Sequence, residues 1–164
     1  MLSLIDKKAL LERIRERAEA QLEGLMHSQR KTQEGATHAE TRAEDPKDTR
    51  ATEASYLARG LAERAEQLRT ELDRLLAFEP GPFGPEDPIG PGALIRIEEE
   101  GGEATVYFLL PVQGGESVPI GEASVSVLSP LSPIGRALLG REIGDEFAVV
   151  LPRGETNFVI EEVS

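Results

Sequence analysis

The residues best suited to chemistry gather in one short stretch. Glu40, Glu44, Asp45, Asp48 and Glu53 stand beside Arg42, Lys47 and Arg50. Asp45 and Asp48 are three apart across Pro46, and a residue before proline is pushed out of helix. Across such a turn the two carboxylates can face one point. Two carboxylates are a common partial ligand set for magnesium, which keeps several waters and takes further ligands from phosphates or a second protein. A turn of this kind holds the ion poorly alone. A plain solvated acidic turn is the alternative reading of the same residues.

Other chemistries lack their residues. The chain has no cysteine, which excludes disulfides and thiolate metal sites. His27 and His38 are the only histidines, too few for a multi-histidine zinc site, and both read as solvent-exposed. No Ser/His/Asp or Cys/His set is available. Tryptophan is absent and aromatics make up 4%, against a base-stacking groove or a large aromatic pocket. Gly101-Gly102 and Gly114-Gly115 read as hairpin turns, because no glycine-rich turn runs into a lysine-bearing helix. The formal charge of −12 argues against independent binding to duplex DNA. No apolar run is long enough to cross a membrane. The first residues lack a basic segment followed by a long apolar stretch, so a cytoplasmic protein without a signal peptide is expected.

The elements that must carry the acidic cluster follow from periodicity. A length of 164 residues suits one medium domain or two small ones. Residues 4–39 read as a helix, with Leu4, Leu11, Ala18 and Leu25 recurring at sevens. In residues 51–79, Ala51, Ala54, Ala58, Leu61, Ala65, Leu68, Leu72 and Leu75 step by threes and fours, a heptad seam. The two seams flank one break, which predicts an antiparallel coiled-coil hairpin over 1–79 with its tip at about 40–50. A long helical linker or a dimerising coiled coil is the other reading.

A connector follows at 80–92, with five prolines and four glycines. Residues 93–164 read as strands at 93–98, 104–110, 123–128, 146–151 and 156–163 around one short helix. Ser132 is placed as the N-cap of that helix and Pro133 at its first position. The fold class is α+β, with a helical hairpin followed by a small domain built on an antiparallel sheet. Charge divides the same way. Residues 1–79 hold 14 Lys/Arg against 16 Asp/Glu, whereas 80–164 hold 4 against 14, so the second part should seek a basic partner.

This layout resembles the Gre transcription elongation factors of bacteria. The most specific match is Val125 to Asp145, which is similar to the family's strand, Ser-Pro, Ala-Leu-Leu-Gly and Gly-Asp segment. The Val149–Val163 hairpin is similar to the family's final strands. The resemblance implies that the hairpin enters the secondary channel of DNA-dependent RNA polymerase and stimulates cleavage of backtracked transcripts. It implies that Asp45 and Asp48 are the working acids, helping to hold a magnesium ion that belongs mainly to the polymerase, with Glu44, Arg42 and Arg50 supporting the tip. Asp45-Pro46-Lys47-Asp48 keeps the family's acid-x-x-acid spacing, but Glu44 replaces a glycine, Asp48 a glutamate and Thr49 an asparagine. It further implies an FKBP-like domain at 93–164 that docks on the polymerase through Ser132, Pro133 and Ile134. Leu131 stands where part of the family has an acid. Nascent RNA would be met only inside that complex, and a monomer is expected. The chain would be a cofactor protein rather than a self-sufficient enzyme. A Gre-like channel-occupying inhibitor and a non-catalytic coiled-coil adaptor are the alternatives.

Overall fold

The computed structural model describes residues 1–42 and 49–164. Helix α1 spans Lys7–Arg42 and α2 spans Arg50–Ala77. Asp6 sets the start of α1: its carboxylate accepts the N–H of Lys8 at 2.9 Å and of Ala9 at 3.1 Å, donors that no helical carbonyl can reach. A single 3-10 turn, Leu2–Leu4, precedes it, and Ile5 is extended. Leu4 therefore leaves the expected seam and is 86% exposed, because the extended residue breaks the helical spacing behind it.

The chain divides into two compact units, Arg15–Asp73 on the one hand and Met1–Ile14 with Arg74–Ser164 on the other. In the first, Ala18, Ala58, Ala65, Leu68 and Leu72 are buried along one line. The Arg69 guanidinium meets Met26 Sδ at 3.8 Å, a contact between the two helices. The outer faces are charged, with Arg59–Glu63 paired four residues apart at 3.3 Å.

The second unit is built on a six-stranded sheet. Its strands are β1 Leu94–Glu99, β2 Ala104–Leu109, β3 Ser117–Ile120, β4 Ala123–Leu128, β5 Glu146–Leu151 and β6 Gly154–Val163, in the order β3-β4-β2-β1-β6-β5. Every pairing is antiparallel except β2 with β4, which run parallel. That parallel pair corrects two expectations. The sheet is mixed, and Gly114-Gly115 is not a hairpin turn, since the chain must cross to β3 before β4 can align with β2. Gly114 lies so close to β4 that a Cβ there would stand 2.7 Å from the Val127 carbonyl oxygen. Strand β3 was not visible in the sequence: four residues including Pro119 carry little strand signal, and β4 recruits them as an edge.

Both faces of the sheet are covered near β1. On one, α3, Pro133–Leu138, helps bury Ile95, Ile97, Leu109, Leu138, Phe147, Phe158 and Ile160. Ile89 joins this cluster from the proline-rich segment and is held by two backbone bonds of 2.8 Å, one to Arg141 and one from Gly140. On the other face Leu94 and Phe108 are partners across β1 and β2, both fully buried, and Leu2 beside β1 is buried as well.

Candidate functional site

The expected site has two parts. Asp45, Asp48 and Glu44 lie outside the described residues. What is described is their frame: α1 ends at Arg42 and α2 begins at Arg50, so two of the three residues expected to support the tip are helix ends. The entry into α2 is built by Thr49. Its carbonyl accepts the Glu53 N–H at 2.9 Å, and its hydroxyl lies 3.4 Å from Glu53 Oε1. Glu53 also places a carboxylate in the first turn, where the helix dipole favours it. Sequence reasoning missed this pair, although a threonine followed four residues later by glutamate at a helix start was there to be read.

The second part is the loop into α3. Ser132 caps the helix: its hydroxyl accepts the Gly135 N–H at 3.0 Å and donates to the Ser129 carbonyl at 2.8 Å. Pro133 occupies the first turn, where its missing N–H costs nothing. Ser129 Oγ in turn accepts the Leu131 N–H at 3.2 Å. A Cβ at Gly135 would collide with the Ser129 carbonyl oxygen, so this loop closes only around glycine. Ile134 is half-buried against the core, whereas Pro133 is exposed and Leu131 is 75% exposed. The three expected docking residues thus form one rigid turn that presents apolar surface to solvent.

Charge surrounds this unit unevenly. Arg96 Nε pairs with Glu161 at 2.8 Å. The hydrogen bond to Glu161 and that neighbour's charge push the Glu98 carboxyl above its usual range. The Glu162 carboxyl is pulled down, chiefly because it accepts the Met1 ammonium at 2.6 Å; the Leu2 N–H, also at 2.6 Å, adds to this. Arg141 is fixed by the Ala137 carbonyl at 2.6 Å and sits 5.4 Å over the Phe147 ring. Burial lowers the Lys7 ammonium, which donates to the Gly81 carbonyl at 2.9 Å. Among the described residues no group of three or more His, Asp or Glu is placed to hold a metal ion. No helix among them is long and apolar enough to cross a membrane.

Residues 84–164 match the family described as "Transcription elongation factor, GreA/GreB, C-term". Transcription elongation factor GreA of Solidesulfovibrio magneticus is 31% identical over 122 residues, covering 73% of this chain and 70% of that protein. GreA of Desulfovibrio desulfuricans is 42% identical over 74 residues, which span 44% of this chain and 42% of the relative. The crystal structure of GreA factor homolog 1 of Thermus thermophilus aligns over 92% of this chain and 94% of its own, at 22% identity and a TM-score of 0.37.

Proposed function

This chain belongs to the GreA/GreB family of transcription elongation factors, and from that premise we propose that it acts on RNA polymerase by placing the tip at about residues 40–50 in the secondary channel, where it stimulates cleavage of backtracked RNA. The observation that carries the reading is the acid-x-x-acid run Asp45-Pro46-Lys47-Asp48, set between the end of α1 and the start of α2 in a chain of this family. The domain at 93–164 is the docking part, and the rigid Ser132-Pro133-Ile134 turn is its contact. The partner is the DNA-dependent RNA polymerase, met in the cytoplasm by one copy of this protein. Nascent RNA is touched only within that complex.

Asp45 and Asp48 are hard oxygen donors, and their chemistry fits magnesium. Two such donors make an incomplete set, which suits an ion shared with a second protein rather than one kept by this chain. A magnesium ion bound there supplies Lewis acidity at an RNA phosphate. The chain's own task is positional: two long helices carry the carboxylates, Arg42 and Arg50 flank them, and the catalytic centre belongs to the polymerase.

The test is cleavage of a stalled, backtracked complex at saturating protein and varied magnesium. Asp45→Asn and Asp48→Asn keep size but lose charge, and each should lower stimulation by about tenfold or more, about 1.4 kcal/mol of transition-state stabilisation. Full activity in the double variant would sink the mechanism. The tip departures at Glu44, Asp48 and Thr49 favour one second reading, a channel-occupying inhibitor, because Asp48 reaches one methylene less far than glutamate. Binding by the unaltered protein with no stimulation would select it.

A further inference from the structure

The inner face of β1, β6 and β5 packs around a small cavity beside Ile134. Their outer face is open. Leu94 begins the outer row of β1 under cover, but Glu98 and Glu100 continue it into solvent. In register across the three strands, Glu98 stands opposite Val159, and Val159 opposite Glu146. Asn157 stands opposite Ala148, and Glu155 opposite Val150. A groove of about 660 Å³ runs along this face, lined by Glu98, Glu100, Glu146, Ala148, Val159 and Glu161. Val150 is 74% exposed, although β-branched side chains usually find cover in a sheet.

Strand β5 is also an edge. No strand among the described residues pairs with it on the side away from β6. The ladder shows which of its backbone groups point there. Glu100 N–H donates to the Asn157 carbonyl at 3.0 Å, so the backbone of Asn157 turns to β1. Ile160 N–H donates to the Asp145 carbonyl at 3.0 Å, so that of Ile160 turns toward β5. Alternation then turns Ala148, opposite Asn157, and Val150, two residues on, out to the open edge. At Glu146 the outward carbonyl is met by Arg141 Nη1 at 3.3 Å, which closes that end of the edge.

We propose that the β5 edge and the outer face beside it bind an extended, lysine- or arginine-bearing segment of another protein, added as a seventh strand. Main-chain bonds to Ala148 and Val150 give such a complex its affinity, and side chains give its selectivity. The face alternates valine and alanine with glutamate, which matches a side chain with an apolar stem and a cationic head. The hydrogen bond to Glu161 and that neighbour's charge already push the Glu98 carboxyl up, so an incoming cation relieves crowded carboxylates. Charge also decides against a second copy. Residues 80–164 hold 4 Lys/Arg against 14 Asp/Glu, and edge-to-edge pairing of two such units sets like charges together.

The experiment titrates the full-length protein with a blocked peptide of alternating lysine and valine, over a range of salt, and follows amide hydrogen exchange. The peptide should bind and slow exchange at Ala148 and Val150. Val150→Pro removes an N–H that β6 does not use, and should weaken binding about tenfold, the worth of one main-chain bond. Val150→Thr keeps that N–H and should bind as the parent does. Glu146→Lys should weaken binding about two- to fivefold and flatten its salt dependence. Glu122→Lys, the same charge change in the β3–β4 turn, should leave binding unaltered. Failure of the peptide to bind, or protection elsewhere than β5, overturns the inference. So does equal binding of an alternating glutamate and valine peptide, because charge then selects nothing. A dimer of the unaltered protein that Val150→Pro breaks overturns it as well, since the occupant is then a second copy. The cleavage assay is untouched by any of these outcomes, so this inference and the functional reading stand or fall separately.

Discussion

Arg15–Asp73 buries a single line of alanine and leucine side chains, whereas the sheet unit buries both faces of its central strands. The first depends on many small increments along two helices, each removable with local loss. The second depends on large side chains that share neighbours, so damage at one spreads. Charge separates them again: 1–79 are nearly balanced and 80–164 carry a large acidic excess. The difference fits the proposed division between a helical part that carries the tip acids and a sheet domain that docks. A line of alanines gives two slender helices, and a two-faced core gives a turn such as Ser132–Ile134 something firm to stand on.

The strongest way to sharpen the contrast is Phe108→Ala. The side chain is fully buried across from Leu94, and its loss should cost about 3–5 kcal/mol in urea unfolding. A cost below about 1 kcal/mol would break the description of a two-faced core.

Leu68→Asp tests the other side. It puts an unpaired carboxylate on the buried line, where Leu68 is 5% exposed, and should cost about 2–3 kcal/mol after the helices fray to relieve it. Circular dichroism should lose helix while the sheet unit keeps its own unfolding transition. Unchanged helicity would mean that this face does not pack.

Ser132→Ala should cost about 1 kcal/mol, since it strips the cap from Gly135 N–H. Ser132→Thr should restore most of it. Equal melting temperatures for the alanine variant and its parent would show that the turn is held by Gly135 and the core alone.

The smallest effect belongs to Glu162→Gln, about 0.5 kcal/mol, because the pair is at the surface and screened. Its sign with pH is definite. The folded carboxyl titrates below its usual value of about 4.3. The pair's contribution is therefore complete above that pH and disappears as pH falls through the folded value. Parent and variant should differ near pH 7 and converge in acid; a gap that widens in acid would contradict the ion pair.

Legibility followed the range of the interactions. The seam from Ala54 to Leu75 was readable because helix contacts recur every three or four residues, and its described members are buried or half-buried. Five of the six strands were readable from β-branched and aromatic runs. Strand β3 was not, because it exists only by pairing with β4. Ile89 was hidden in a segment rich in proline and glycine, where one apolar residue carries no period. At the site, the Ser132 cap was local and visible. The Thr49–Glu53 entry was local and overlooked. The cavity beside Ile134 was invisible, since its walls come from β1, β2, α3, β5 and β6.

Composition and spacing by themselves determined the two-part layout, the acid-x-x-acid run between two helical seams, and the absence of cysteine or multi-histidine chemistry. These depend on residue type and on separations of a few positions, which survive in any fold. Only the tertiary structure decided the parallel β2–β4 pairing, the burial of Ile89 and the joining of Ile134 to Tyr107, Leu151 and Phe158 around one cavity. Those contacts join residues tens of positions apart, and nothing in the local sequence records which distant partner wins the competition to bury them.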